Sequence, residues 1–329
     1  MALTKIDPSV VNDQVIGRKN IIINGDMKVY QRAQSVTGFT TAYKYRTADR
    51  MRFSSEGGTV GTWNQEVQTD QNIGDYSNVN VLKTTCTSAG ADNKRGVNYR
   101  IEPIDIKHMV GKTCTLSFYA KADATVTQQR QLAFISGGSV ASTVDLGDIT
   151  LTTTYTRYTA TFTMANCTDY VDMLLRVDGD TETSSYITLI QLELGSQATP
   201  FEFRSFGEEL ALCQRYCQKY GPYGSGSFPF GPSGDSHAST TTAVGQILPV
   251  ELRASPSISF NGDGNPELRG GMTDGSNTNR AVTSVSTIVA KGTSLMMNVV
   301  TSGGGNVIGQ VAVLCNANNN NFMIYDAEL

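Results

Sequence analysis

The sequence predicts a mainly β protein: an antiparallel sandwich, one helix, and a second, smaller β region. Three observations carry that reading. Apolar residues recur at every second position in several segments, and turns rich in Gly, Ser, Thr and Asn separate those segments. A single capped helical pattern stands about two-thirds of the way along the 329 residues, and the composition changes directly behind it.

Residues 1–18 form a short lead of mixed polarity with no periodicity. From Lys19 to about Thr199 strand follows strand, which sets a first domain at 19–204. In "TCTLSFYA" the residues Cys114, Leu116, Phe118 and Ala120 alternate with Thr and Ser. Tyr158, Ala160, Phe162 and Met164 alternate with threonines in "RYTATFTM", and Val171, Met173, Leu175 and Val177 share one face in "VDMLLRV". Each pattern describes a strand with one buried and one wetter side. Strands at this spacing without intervening helices imply an antiparallel sandwich.

The connecting helix is expected over 205–221, within "FEFRSFGEELALCQRYCQKYGPYG". Ser205 and Glu208 have capping-box spacing, Glu208 and Glu209 lie in the first turn, and Lys219 in the last suits the helix dipole. Leu210, Cys213 and Cys217 make one apolar row, Leu212, Tyr216 and Tyr220 a second, and Gly221–Pro222 is a stop. Two rows mean a helix held on more than one side. It either caps the first domain or bundles with copies of itself, and the size of Tyr216 and Tyr220 favours the bundle. Leu210, Cys213, Tyr216, Cys217 and Tyr220 are therefore the candidate trimer-interface residues.

The last domain, 222–329, opens with "GPYGSGSFPFGPSGDSHASTTT", which reads as a long loop. Strand-like pieces follow in "TAVGQILPVEL", "PSISF", "AVTSVSTIVAK" and "SLMMNVV". The end reads as a hairpin with the Asn run at its tip and a final strand at Phe322 to Tyr325. Short strands with flexible separators predict a core too small for one chain, shared with identical neighbours.

Charge narrows the partners. Charged residues are 17% of the chain, the net charge is -4, and Lys and Arg are scattered, which argues against nucleic acid and anionic membrane. The start, "MALTKIDPSVV", is broken by Asp7 and Pro8 before an apolar run can build, so synthesis in a cytoplasm without a signal peptide is expected. Apolar runs stay far below the roughly 20 residues that span a bilayer, so no membrane insertion is expected. The six cysteines are spread out and only His108 and His237 are available beside them, which predicts buried thiols and no metal or other cofactor.

Catalytic signatures are missing. "GDGNPELRGG" lacks the Lys-Ser/Thr and the helix of a phosphate loop, and "DGDTE" and "NGDGN" do not match a twelve-residue calcium loop. Nothing singles out the carboxylate pair, about 5 to 10 Å apart, that glycoside hydrolysis needs. The chain is accordingly expected not to be an enzyme. Aromatics suggest binding, because their faces stack on sugar rings while polar neighbours bond the hydroxyls. The glycan-binding candidates are Trp63, Tyr43 and Tyr45, with Tyr223, Phe228, Phe230 and His237 in the later loop. For Trp63 a place in the core is the favoured reading, as for a lone Trp in a sandwich; for the loop aromatics the alternative is an interface between chains.

"KNIIINGDMKVYQRA" resembles the opening strand N-L-L-x-N-G-D-F-x-x-W-Q-R of jelly-roll, carbohydrate-binding-like modules. "YRTADRMRF" resembles their second landmark, with Met51 in place of the usual Trp. "GKTCTLSFYAKAD", "YTRYTATFTM" and "YITLIQLELGSQATPFEFRSFGEELALCQRYCQKY" follow in the expected order. The last of these is similar to a segment of bacteriophage tail-fibre-like proteins, as are "MALTKIDPSVV", "LRASPSISF" and "IYDAEL". Calcium-holding relatives carry acids where Lys28, Thr188 and Leu189 stand here, so the resemblance does not extend to that ion.

The resemblance implies a homotrimeric tail fibre or receptor-binding protein on the virion, assembled in the bacterial cytoplasm. Segment 1–18 would anchor to tail adaptor or nozzle proteins, the jelly roll would form the shoulder, and 222–329 the distal tip. The partner implied is host surface polysaccharide or lipopolysaccharide. Two alternatives stand beside it: a head-decorating or assembly fibre without ligand, and a polysaccharide-depolymerising tailspike.

Overall fold

The computed structural model describes residues 18–56, 61–90, 94–178, 182–221, 229–261, 267–270, 280–302, 311–315 and 322–328. The chain divides into two compact units, Met1–Glu209 and Leu210–Leu329. The division falls a few residues beyond the boundary expected at 204.

The first unit is a jelly-roll sandwich. In chain order its strands are β1 (Ser35–Phe39), β2 (Lys44–Tyr45), β3 (Arg52–Glu56), β4 (Thr62–Asp70), β5 (Val79–Ser88) and β6 (Lys94–Ile101). A one-turn helix α1 (Pro103–Ile106) leads into β7 (Thr113–Ala122), β8 (Val126–Ser136), β9 (Ser139–Asp145), β10 (Ile149–Leu151), β11 (Thr156–Thr163), β12 (Tyr170–Asp178) and β13 (Ser184–Leu194). One sheet runs β1-β4-β5-β13-β7-β11; the other runs β10-β8-β12-β6-β3-β2, with β9 paired to β8. All the pairs are antiparallel, as the alternating patterns require.

Between the sheets lies the core expected from the sequence. Cys114, Leu116, Phe118 and Ala120 of β7 join Val171, Met173, Leu175 and Val177 of β12, with Phe162 and Met164 beside them. Two outward residues of β7 are buried as well: Thr115 Oγ1 donates to Gly195 O at 2.7 Å, and Ser117 Oγ accepts from Arg157 at 3.2 Å.

A buried polar network ties the first described segment to the end of the unit. Arg204 pairs with Glu209 at 3.1 Å and donates to the carbonyl oxygens of Ile22, at 3.0 Å, and Asn20. Glu209 Oε1 accepts the Asn24 amide at 2.6 Å, and Asn20 Nδ2 donates to Ile190 O at 3.0 Å. Gly25 has its place here because a Cβ would run into the Ile190 carbonyl.

Helix α2 (Phe206–Gln214) starts as expected, with the Glu208 amide donating to Ser205 Oγ at 3.4 Å. The Glu208 carboxylate pairs with Arg18. The helix stops at Gln214, however, short of the expected Gly221, and Cys217–Tyr220 forms strand β14 against the last strand. Two periods coexist in this stretch: Leu212, Tyr216 and Tyr220 are spaced for a helix, while Tyr216, Gln218 and Tyr220 are spaced for a strand. The strand prevails because the ladder satisfies the backbone from Cys217 to Tyr220. Lys219 consequently sits over the Phe322 ring at 4.0 Å and is not in a last helical turn.

The second unit holds β14, β15 (Pro229–Ala238), β16 (Thr241–Ile247), β17 (Ser257–Asn261), β18 (Glu267–Gly270), β19 (Arg280–Lys291), β20 (Ser294–Thr301), β21 (Val311–Cys315) and β22 (Phe322–Asp326). Six of these close a barrel in the order β15-β16-β20-β19-β18-β21, and β14-β22-β17 form a three-stranded sheet. Three expectations are corrected. The segment expected as a long loop supplies a barrel strand from Pro229 to Ala238. The last two strands belong to different sheets and make no hairpin; the Asn run lies outside the described residues.

The third correction concerns the core. Val244, Leu268, Val282, Leu295, Met297, Val299, Ala312, Leu314, Met323 and Tyr325 are buried together within one chain. Barrel closure removes the edges that short strands would otherwise expose. The described residues of the second unit thus hold a core within one chain. Outside the barrel, Cys213, Tyr216 and Cys217, at 0%, 1% and 0% exposure, are covered by their own chain and do not form the open helix face that the expected bundle needs. Tyr220 packs on Tyr325 with centroids 5.2 Å apart, and Leu210 is half-buried.

All six cysteines are free and buried. Burial pushes the Cys114 thiol up to about 11, so the folded chain holds that proton where the unfolded chain releases it. This contribution to stability is complete below the ordinary thiol value of 9.0 and is lost as the pH rises towards 11. A thiol reagent at pH 8 is expected to label none of the native cysteines within minutes and all six after unfolding. Fast labelling of the native protein would contradict the burial.

Candidate functional site

The outer face of the sheet containing β3, β6, β12 and β8 carries a group of polar residues, interrupted by Leu174; Arg52, Asn98 and Arg176 among them are buried. Its origin is simple alternation. Val97, Tyr99 and Ile101 of β6 enter the core, which turns Asn98 and Arg100 outward; Val171, Met173 and Leu175 of β12 do the same for Tyr170, Asp172 and Arg176. Register places Arg52 opposite Asn98, Arg100 opposite Asp172, and Arg176 opposite Gln129.

Asp172 is the hub. Arg100 Nε donates to one of its oxygens at 2.9 Å, and Arg52 approaches the other at 3.6 Å. Arg52 also donates to Asn98 Oδ1 at 3.1 Å, and Arg176 to Gln129 Oε1 at 2.9 Å. Aromatic rings flank the row. The Arg100 guanidinium lies 3.9 Å from the Tyr170 centroid and donates to its hydroxyl at 3.1 Å. The Tyr43 ring covers Arg52 at 5.1 Å, and Arg32 lies 5.3 Å from the Tyr45 ring. Burial, then the charge of Arg100, holds the Arg52 guanidinium below its ordinary value, against the pull of Tyr45 and Asp172.

Tyr43 is 50% exposed and its backbone is left-handed (φ 54°), so a turn delivers an open ring to the edge of the row. Beyond it, half-buried Arg100 and Tyr170 offer guanidinium donors and a phenol on rigid strands, held in place by Asp172. An aromatic face beside planar donors suits a sugar ring, whose C–H face stacks while its hydroxyls exchange hydrogen bonds. Asp172 is committed to its two arginines, a bracing arrangement.

Of the residues singled out in the sequence, Tyr43 and Tyr45 stand at this row. Trp63 does not. It is 2% exposed, 5.4 Å from Phe53 and 4.1 Å from the Arg95 guanidinium, because β4 turns Trp63, Gln65 and Val67 inward together. Tyr223 and Phe228 lie outside the described residues. Phe230 falls in β15, and His237 is exposed on the same strand, two residues from a turn. Arg52, Asn98, Arg100, Tyr170 and Asp172 were missed; for all but Arg52 the signal was polar residues at the alternate positions of "VNYRI" and "YVDMLLRV".

A calcium ion does not fit the place where relatives hold acids. The Lys28 ammonium stands there, 2.7 Å from both Asp26 Oδ2 and Arg204 O. Thr188 Oγ1 donates to Asn80 O at 2.6 Å, and Leu189 is buried. Among the described residues no three His, Cys, Asp or Glu side chains gather for a metal. The "DGDTE" and "NGDGN" segments fall mostly outside the described residues.

No protein-family model matches the sequence, and no curated protein is significantly similar to it. Solved structures are similar in fold. The CBM22-1 xylan-binding domain of Paenibacillus barcinonensis Xyn10C is 14% identical, covering 50% of this chain and 94% of its own, with a TM-score of 0.32. A CBM4 structure is 16% identical over 52% of this chain and 98% of its own, with a TM-score of 0.33. The enzymatically active domain of tailspike protein 4 from bacteriophage CBA120 is 14% identical over 54% of this chain but 21% of its own, with a TM-score of 0.34.

Proposed function

We propose that the protein is a non-enzymatic attachment protein of a bacteriophage particle, a tail fibre or receptor-binding protein that holds host surface glycan on the outer face of the seven-stranded sheet. The observation that carries the glycan reading is the braced row of Tyr43, Arg52, Asn98, Asp172, Arg100 and Tyr170. The phage reading is supported by the sequence resemblance, which runs from "MALTKIDPSVV" to "IYDAEL". Segment 1–18, which would dock to the tail, lies almost wholly outside the described residues.

Homotrimerisation belongs to this reading through the resemblance and through avidity. A lone sugar site near 1 mM is worth about 4 kcal/mol, and linked copies raise avidity by roughly 10² to 10⁴. With the helix residues buried, the apolar surface left to a neighbour includes Ile247, Met296 and Val311, at 84%, 46% and 62% exposure. Sedimentation equilibrium is expected to return about three times the 35.4 kDa chain mass. A monomer at micromolar concentration would remove the trimer from the account and leave the glycan face standing.

An array of bacterial surface polysaccharides and lipopolysaccharides tests the function. Binding to a defined subset, with blocked particle adsorption by the same protein, is expected. Reducing-sugar release would point to a depolymerase, and capsid location without array binding to a decorating fibre.

A further inference from the structure

A groove of about 440 Å³ opens beside the other sheet, where the turn before β5 meets the chain beyond β13; Asp26, Lys28, Asp75, Asn78, Asn80 and Phe203 line it. Its volume is within the usual range for small-ligand sites. Phe203 is 50% exposed, yet its ring is fixed edge-to-face against Phe201 at 4.9 Å and Tyr76 at 5.6 Å. An open ring already held in place loses little freedom when something stacks on it.

The polar side of the groove is incomplete. Asp26 is 5% exposed; its Oδ2 takes the Lys28 ammonium at 2.7 Å, but its Oδ1 is buried with no donor among the described residues. A buried carboxylate oxygen without a donor is costly and uncommon. Lys28 gives one further hydrogen bond, to Arg204 O at 2.7 Å, and lies 5.8 Å from the Phe203 centroid, so its third N–H remains on the side of that ring.

We propose that this groove is a second saccharide site that takes one pyranose ring. The C–H face of the sugar lies on Phe203, one hydroxyl donates to Asp26 and another accepts from Lys28. The ammonium already balances Asp26, which disfavours a divalent cation in the same space. The site shares no residue with the Tyr43–Arg100 row and does not depend on it.

Saturation-transfer NMR with methyl β-D-glucopyranoside and methyl β-D-galactopyranoside tests this in full-length protein carrying Arg100→Ala, which disables the row. At least one pyranoside is expected to give transfer with a dissociation constant of about 1 mM, weakened about tenfold by adding Phe203→Ala. Phe203 is half exposed, so its truncation leaves the fold intact, as the melting curve will verify. Lysine methylation that spares folding provides a second reading, with the same loss expected. Absence of transfer from both sugars, transfer unaffected by Phe203→Ala, or a calcium-dependent rise in melting temperature without sugar transfer would each overturn the proposal.

Discussion

Glu209→Ala is expected to cost about 3–5 kcal/mol of stability, the range for removing one partner of a buried ion pair. Glu209 and Arg204 side chains are each 4% exposed, so Arg204 would be left as a buried cation without its carboxylate. The Asn24 amide would lose its acceptor at the same time. Arg204 also bonds the carbonyls of Ile22 and Asn20, so the damage is expected to spread to the segment that opens the sandwich. Glu209→Gln, which keeps an acceptor for Asn24, should lose less. Urea unfolding of the first unit's transition measures both. A change below about 1 kcal/mol for the alanine variant would mean that the network is ornamental.

The second large effect is expected in binding. Asp172→Ala removes the carboxylate that braces Arg52 and Arg100, and both guanidiniums would leave the geometry set by 3.6 and 2.9 Å contacts. Affinity for the best polysaccharide from the array is expected to fall by about 10- to 100-fold, roughly 1.4–2.8 kcal/mol. Tyr43→Ala is expected to lose about tenfold through stacking alone while the melting temperature barely moves, because the ring is 50% exposed. Calorimetric titration of both variants distinguishes a bracing from a contacting role. Loss of fold on Asp172→Ala with normal binding by Tyr43→Ala would place the ligand elsewhere.

Strands with one dry face were legible in the sequence. β7, β11 and β12 follow their alternation because the inward residues meet in one core. β15 was not legible: "PFGPSGDSHA" has the composition of a loop, and its strand is fixed by β16, which follows directly, and by β21, distant in sequence. Gly234 is part of that logic, since a Cβ there would strike the Ala243 carbonyl across the pair. The end of α2 was ambiguous because two periods overlap at Tyr216 and Tyr220. The core of the last domain was not legible because strand length says nothing about barrel closure.

Of the candidate site only the aromatics of the β1–β2 region could be read. Tyr43 and Tyr45 were conspicuous as paired aromatics, and the odds between core and ligand for Trp63 turned on a face that only register decides. Arg100 and Asp172 are 72 residues apart, and no local pattern announces that β6 and β12 are neighbours. Their chemistry appears only when the sheet is assembled.

Hydrogen–deuterium exchange of the intact protein, with and without saturating polysaccharide, tests the binding face most directly. The account predicts the strongest added protection in peptides spanning Tyr43–Ser54, Lys94–Ile101 and Tyr170–Val177. Protection confined to the barrel strands of the second unit, with these peptides unchanged, would contradict it.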